Sequence, residues 1–183
     1  MNADGGAFVF IATSLDGFIA REDGGIDWLP AGGGDPAADD YGYQQFFASV
    51  DALVMGRNTF ELVRTFGAWP YGDTPVVVLT TRALELPRDL RARVTVMSGD
   101  PRDVAARLAE RGLHRLYVDG GRTVQGFLAA GLVRRLVVTR IPILLGRGIP
   151  LFGPLPHDVR LVHVATRSWP TGLVQSEYEV AAG

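Results

Sequence analysis

Leu116-Tyr117-Val118-Asp119-Gly120-Gly121-Arg122-Thr123-Val124 is the stretch on which the fold turns. An apolar run stops at an acid and two glycines, after which Val124, Phe127 and Leu128 recur at helical spacing up to Gly131. That is strand, tight turn, helix, and the unit recurs along the chain. Ala52-Leu53-Val54-Met55 passes through Gly56-Arg57-Asn58-Thr59 into a helix carrying Phe60, Leu62, Val63 and Phe66. Asp100-Pro101-Arg102-Asp103 starts another, with Asp at the N-cap, Pro at the first helical position and an acid two residues on. Val104 and Leu108 give that helix its apolar stripe and Gly112 its stop. Asp39 or Asp40 caps a fourth helix on Tyr43, Phe46, Phe47 and Val50, which makes this acid pair first of all a capping device.

Residues 8–13, 75–81, 94–97 and 135–141 read as further strands. Residues 160–168 and 173–180 read as a hairpin turning at Trp169-Pro170-Thr171-Gly172. Strand-helix alternation predicts an α/β fold: an about eight-stranded, mostly parallel sheet with about four helices and a C-terminal antiparallel hairpin. Between the first strand and the capped helix, residues 24–40 are rich in Gly, Ala, Asp and Pro around an isolated Asp27-Trp28-Leu29. They are predicted to form a long loop of the kind that covers a site.

The 183 residues fit one domain, expected over 1–183. With 47% apolar and 21% charged residues the chain has the composition of a globular protein. No apolar run reaches the roughly 18 residues of a membrane span, and the first six residues lack a signal pattern, so a cytoplasmic location is expected. Cys is absent, which excludes disulfides, thiolate nucleophiles and thiolate metal sites. Lys is absent too, so all 18 basic residues are Arg, and Schiff-base chemistry and a P-loop lysine are excluded. His114, His157 and His163 are scattered, and no metal site is expected. A net charge of -2 argues against nucleic acid and leaves a small molecule as the expected ligand.

In an open α/β sheet ligands bind beyond the carboxyl ends of the strands. The candidate exits are therefore Ser14 to Asp16, Gly56 to Thr59, Thr80 to Arg82 and Asp119 to Thr123. Two of them join glycine to a helix start, where free N–H groups and the dipole favour phosphate, and Arg57, Arg82 and Arg122 add cations. The dinucleotide fingerprint G-x-G-x-x-G is absent: Gly146-Arg147-Gly148 leads to Ile149-Pro150 rather than into a helix. No G-x-S-x-G hydrolase motif is present either.

Ile11-Ala12-Thr13-Ser14-Leu15-Asp16-Gly17-Phe18-Ile19-Ala20, Asp27-Trp28-Leu29, Met55 to Thr59, Val118 to Gly121 and Leu144 to Phe152 together resemble the dihydrofolate-reductase-like superfamily. The similarity is to the branch of the C-terminal reductase domain of the bacterial riboflavin-biosynthesis deaminase-reductase, and it runs in order over nearly the whole chain. It implies an NADPH-dependent reductase of a pteridine or ribosylaminopyrimidine type of substrate, with a true dihydrofolate reductase or an NADPH-binding protein without turnover as alternatives. By that resemblance Ala12 and Ile19 flank the nicotinamide, and Gly56, Arg57, Asn58 and Thr59 hold phosphate. Thr80, Thr81 and Arg82 would meet the 2′-phosphate, and Gly120, Gly121, Arg122, Thr123 and Val124 the pyrophosphate. Asp40 and Thr139 resemble the acid and threonine that bind the pterin, while Asp119 stands where the riboflavin branch places an acid. Asp16, Asp27 and Trp28 are implied on the substrate side, and a homodimer is expected. Two departures stand out. No Lys precedes Ser14-Leu15-Asp16-Gly17, and Phe66-Gly67-Ala68-Trp69-Pro70 replaces an acidic segment, which together with Trp28 points to a flatter, more apolar substrate than a ribosyl phosphate.

Overall fold

Alternate side chains of the first strand enter different cores, which makes it the spine of the molecule. The computed structural model describes residues 5–29 and 39–181, and β1 (Gly6–Ser14) runs through the middle of its main sheet. Ala7, Val9 and Ile11 face one apolar cluster, while Phe10 and Ala12 face the opposite side. A strand apolar on both faces has to be covered on both, and helices cover it. The chain continues as β2 (Phe18–Ala20), α1 (Tyr43–Phe47), β3 (Ala52–Gly56), α2 (Arg57–Val63), β4 (Val76–Leu79) and β5 (Val94–Met97). It then forms α3 (Pro101–Ala109), β6 (Arg115–Asp119), α4 (Gly121–Ala129), β7 (Val133–Ile141), β8 (Ile149–Pro150), β9 (Leu161–Ser168) and β10 (Val174–Val180).

Eight strands make the main sheet in the order β5-β4-β3-β6-β1-β7-β10-β9, with β10 alone running against its neighbours. The mostly parallel sheet, the four α-helices and the antiparallel C-terminal hairpin agree with the sequence reading. β2 and β8 add a separate two-stranded ribbon that the sequence reading did not contain. Three-residue and two-residue strands carry too few alternating positions to register as a pattern. The predicted helix on Tyr43 to Val50 is shorter than its periodicity implies and ends at Phe47. Five residues are too few to hold a helix by propensity, so packing holds it. Phe10 meets Tyr43 at 5.6 Å and Phe46 at 5.1 Å between ring centroids, and Phe46 meets Tyr117 edge-on at 5.0 Å.

The pairing of β1 positions the site. Its contact with β6 covers Gly6 to Phe8 only, whereas its contact with β7 extends to Ser14. Beyond Phe8 the two parallel strands part, and a crevice opens on the carboxyl side of the sheet between β1 and the Gly120–Gly121 turn. Tyr117 donates its hydroxyl hydrogen to the Phe10 carbonyl oxygen at 2.9 Å, which satisfies a backbone acceptor at that parting. Of the predicted loop, residues 24–29 and 39–40 are irregular, and the remainder lies outside the described residues. Among the described residues no helix is long and apolar enough to cross a membrane.

Candidate active site

Two helix starts meet at the crevice. α2 follows β3 and α4 follows β6, neighbouring parallel strands, so both N-termini emerge at the same edge. Neither has a side-chain cap, which leaves first-turn N–H groups without a side-chain acceptor. Their approach explains the glycines. Gly120 has φ of 89°, and a β-carbon there would lie 2.5 Å from Thr59 Oγ1. A β-carbon at Gly121 would lie 2.8 Å from the Pro150 carbonyl oxygen and 3.3 Å from Ile19 Cδ1. Gly56 likewise has Thr123 Oγ1 3.3 Å from where its β-carbon would stand. Gly56, Thr59, Gly120, Gly121, Thr123 and Ile19 are therefore neighbours.

The cations at this edge differ in their engagement. Arg57 binds Glu61 Oε1 through Nε at 2.7 Å, and its guanidinium reaches the Ala83 carbonyl oxygen at 3.5 Å, so it already bridges α2 to the turn after β4. In that turn Thr80 Oγ1 accepts from the Arg82 N–H at 3.1 Å. Arg82 and Arg122 are exposed and make no ion pair among the described residues. Asn58 is exposed in the first turn of α2, and Thr81 is exposed next to Arg82 in the chain. Val124 is fully buried in the core, so it supports the turn from beneath.

A cavity of about 280 Å³ lies against β1 and β7. Phe10 and Ala12 of β1 and Thr139 and Ile141 of β7 form its wall, with Asp40, Tyr41 and Tyr43 at its rim. Ala12 and Thr139 are register partners, which places them side by side. Asp40 and Thr139, matched in the sequence on resemblance alone, thus line one cavity. The cap position of α1 falls on Gly42, not on Asp39 or Asp40 as the sequence suggested, and Asp40 acts from two residues before it: its carboxylate accepts from the Gly42 N–H at 2.9 Å and from the Gln44 N–H of the first turn at 2.8 Å. The Gln44 bond, followed by the Gly42 bond, holds this carboxyl below the usual carboxylate range, so Asp40 is ionised at neutral pH. These two backbone bonds fix the anion at the rim.

The turn that carries Asp40 is strained. Tyr41 has φ of 54° and Gly42 has φ of 84°, two successive left-handed residues of which only the glycine is suited to it. Contacts on every side hold it. Asp39 accepts from the Tyr41 N–H at 2.8 Å and from Trp169 Nε1 at 2.5 Å, and the Tyr41 ring meets Trp169 edge-on at 5.0 Å. Gln175 Nε2 donates to the Tyr41 carbonyl oxygen at 3.1 Å and to Thr139 Oγ1 at 3.0 Å. The sequence reading did not single out Gln175, Tyr41 or Trp169 as site residues. Their signal is the pairing of β10 with β7, which sets Gln175 opposite Thr139 and is not visible in local sequence.

Asp119, at the end of β6, sits among the aromatic residues beneath the rim. Burial pushes its carboxyl up to about 6, against the lowering effect of the Gly120 N–H, which it accepts at 2.8 Å. Burial first, and then the charge of Asp119, pushes the Tyr43 and Tyr71 phenols up as well. The two candidate carboxyls thus differ: Asp40 lines the cavity as a fixed anion, while Asp119 is not among the residues lining it and can hold a proton near neutral pH.

Asp16 and Asp27 lie elsewhere. Asp16 accepts from Ser14 Oγ at 2.6 Å, from the Gly146 N–H at 2.7 Å and from the Leu145 N–H at 3.2 Å, so it clamps the β1–β2 turn to residues 145–146. Asp27 is exposed and bound by Arg21 at 2.6 and 2.9 Å. Trp28 is buried behind the cavity wall against Ile141 and Leu173, and its indole N–H has no acceptor among the described residues. Trp69 packs in the core cluster under α1 and α2, and Phe66 is 51% exposed outside the cavity. Among the described residues no cluster of three or more metal-ligating side chains occurs. A larger cavity, about 370 Å³, lies at the opposite pole of the sheet among Val133, Arg134, His157 and Val180, far from both helix starts.

Known proteins share the fold and, in part, the sequence. Residues 7–174 match the model of the RibD C-terminal domain. YwjB of Bacillus subtilis, itself uncharacterised, is 35% identical over 155 residues, 84% of this chain and 86% of that one. The crystal structure of a Shewanella sp. PV-4 protein named for riboflavin biosynthesis is 40% identical, superposes with a TM-score of 0.89, and covers 97% of this chain and 99% of its own. Dihydrofolate reductase from Enterococcus faecalis, solved with NADP(H), shares the fold at a TM-score of 0.66 and 19% identity over 98% of both chains. The parting of β1 from β6, the paired helix starts and the match across the sequence converge: the chain belongs to the RibD C-terminal domain family, with the fold of dihydrofolate reductase.

Proposed function

We propose that the protein is an NADPH-dependent reductase of a small heterocycle of the pteridine or ribosylaminopyrimidine type. The family supports the oxidoreductase class. The observation that carries the finer reading is the joint placement of Asp40 and Thr139 on one cavity, whose wall includes β1, the strand that parts from β6 after Phe8. The residues at the crevice fit a dinucleotide: the glycines let the two helix starts pack close together, their first-turn N–H groups have no side-chain acceptor, and Arg57 and Arg122 stand in those first turns. Arg82 with Thr80 and Thr81 would receive the 2′-phosphate, and Ala12 and Ile19 would flank the nicotinamide. Bound there, NADPH supplies the hydride.

The chain supplies the rest. Asp40, held ionised, accepts N–H donors of the heterocycle, and the Thr139 hydroxyl completes a two-point grip that orients its ring plane. Asp119, with its carboxyl near 6, retains a proton on about a tenth of molecules at pH 7 and is the proton store of the site. The buried indole N–H of Trp28 offers a further donor behind the wall.

The test is loss of absorbance at the nicotinamide band when protein and NADPH meet a panel of pteridine, aminopyrimidine and dihydrofolate acceptors. Consumption with a pteridine or aminopyrimidine is expected. Consumption with dihydrofolate alone would make the protein a dihydrofolate reductase, and NADPH binding without consumption would make it a binding protein. Two copies are proposed to associate, a reading supported by the edge strand β9, on which Leu161, Val162 and Val164 are 44%, 54% and 45% exposed. Light scattering giving the mass of one 19.7 kDa chain would overturn that proposal.

A further inference from the structure

We propose that Gln175 is a positioning residue of the site: it registers the strained Asp40 turn against Thr139 and fixes the direction of the Thr139 hydroxyl. The inference rests on the reading of the cavity as the heterocycle site. Gln175 is on β10, outside every segment that carries the family resemblance, and its amide nitrogen has two hydrogens to give. One goes to the Tyr41 carbonyl oxygen at 3.1 Å and the other to Thr139 Oγ1 at 3.0 Å. The same amide therefore ties the element that presents Asp40 to the strand that presents Thr139.

Each bond has a distinct effect. Tyr41 is a non-glycine residue at φ of 54°, a conformation that persists only where its surroundings hold it. Trp169 and Asp39 hold the ring and the N–H of Tyr41, and Gln175 holds its carbonyl. At Thr139, an oxygen that accepts from Gln175 cannot direct its own hydrogen along that line. The hydroxyl hydrogen and one lone pair are left for the cavity, which Thr139 lines. A ligand there meets a hydroxyl already oriented, and less ordering is required on binding.

The experiment is a double-mutant cycle on Gln175→Met and Thr139→Val, both close in shape to the residues they replace. The probe is 2,4-diaminopyrimidine, followed by quenching of tryptophan fluorescence, with NADPH titrated separately and urea unfolding measured on all four proteins. Each single variant is expected to weaken diaminopyrimidine binding at least fivefold and to leave the NADPH dissociation constant within twofold. The double variant is expected to bind as the weaker single one does, because Gln175 acts through Thr139. Losses that multiply in the double variant, or a Gln175→Met protein that binds the pyrimidine like the wild type, would overturn the inference while leaving the reductase reading intact. So would coupling seen in urea unfolding but not in binding, which would make the contact merely structural. A wild type that binds neither probe overturns both readings.

Discussion

Asp119→Asn should make the protein more stable at neutral pH, and the gain should vanish in acid. Burial raises the Asp119 carboxyl from 3.8 in the unfolded chain to about 6 in the folded one. A raised carboxyl costs stability wherever it is charged. Below about pH 4 both states are protonated and the group contributes nothing. Between about pH 4 and 6 the unfolded chain ionises while the folded one resists, so stability falls as pH rises, and above that the full cost remains. At about 1.4 kcal/mol per tenfold, the difference between the two states is at most about 3 kcal/mol. Asp119 is only half-buried, so water screens part of it, and about 1.5 kcal/mol is the expected cost. Asn keeps the shape and the acceptor for the Gly120 N–H but carries no charge. Melting curves from pH 4 to 8 should show the Asn variant higher by about 3 to 6 °C at pH 7.5, with the two proteins converging near pH 4. A difference independent of pH, or an Asn variant less stable at pH 7.5, would refute the reasoning. The same variant should lose turnover, the usual exchange between stability and activity where an acid is held partly out of water.

Other outcomes follow from the same geometry. Arg57→Ala should raise the NADPH dissociation constant at least tenfold, about 1.4 kcal/mol, with an unchanged circular dichroism spectrum; unchanged affinity would remove Arg57 from the site. Glu61→Gln should do the opposite and tighten NADPH two- to threefold, because it frees the guanidinium now bound at 2.7 Å. Gly121→Ala should lower stability by about 2 kcal/mol in urea unfolding, since its methyl would press on the Pro150 carbonyl oxygen at 2.8 Å, and a wild-type midpoint would contradict that contact. Thr139→Val should lower kcat/KM for the acceptor about tenfold while NADPH binding stays as it is, and equal loss of both would place Thr139 on the cofactor side.

Much of the framework was legible because it is local. Asp100 caps α3 by accepting from the Arg102 N–H at 2.8 Å, with Pro101 at its first position, as the four residues alone imply. The hairpin of β9 and β10 turns where Trp169 to Gly172 put it, with Gly172 at φ of 85°. The Gly120–Gly121 turn was readable as a phosphate edge, yet its packing reason was not: Thr59 and Pro150 arrive from distant parts of the chain. The same holds for Asp16, which looked like a strand-exit residue and is engaged by N–H groups about 130 positions away. Asp40 could be read as a cap or as a substrate carboxylate; the cap position itself goes to Gly42, and Asp40 holds a first-turn N–H of α1 while lining the cavity, a coincidence that depends on the turn at Tyr41 and Gly42. The parting of β1 from β6 after Phe8 leaves no mark on an apolar strand that is buried on both faces, and it is what opens the crevice.

The central claim is most directly tested by titrating the purified protein with NADPH and NADH while following tryptophan fluorescence and thermal shift. Micromolar binding of NADPH, with NADH at least tenfold weaker, is what the crevice with Arg57 and Arg82 predicts. Binding of neither nucleotide would leave the fold standing and contradict the reductase account.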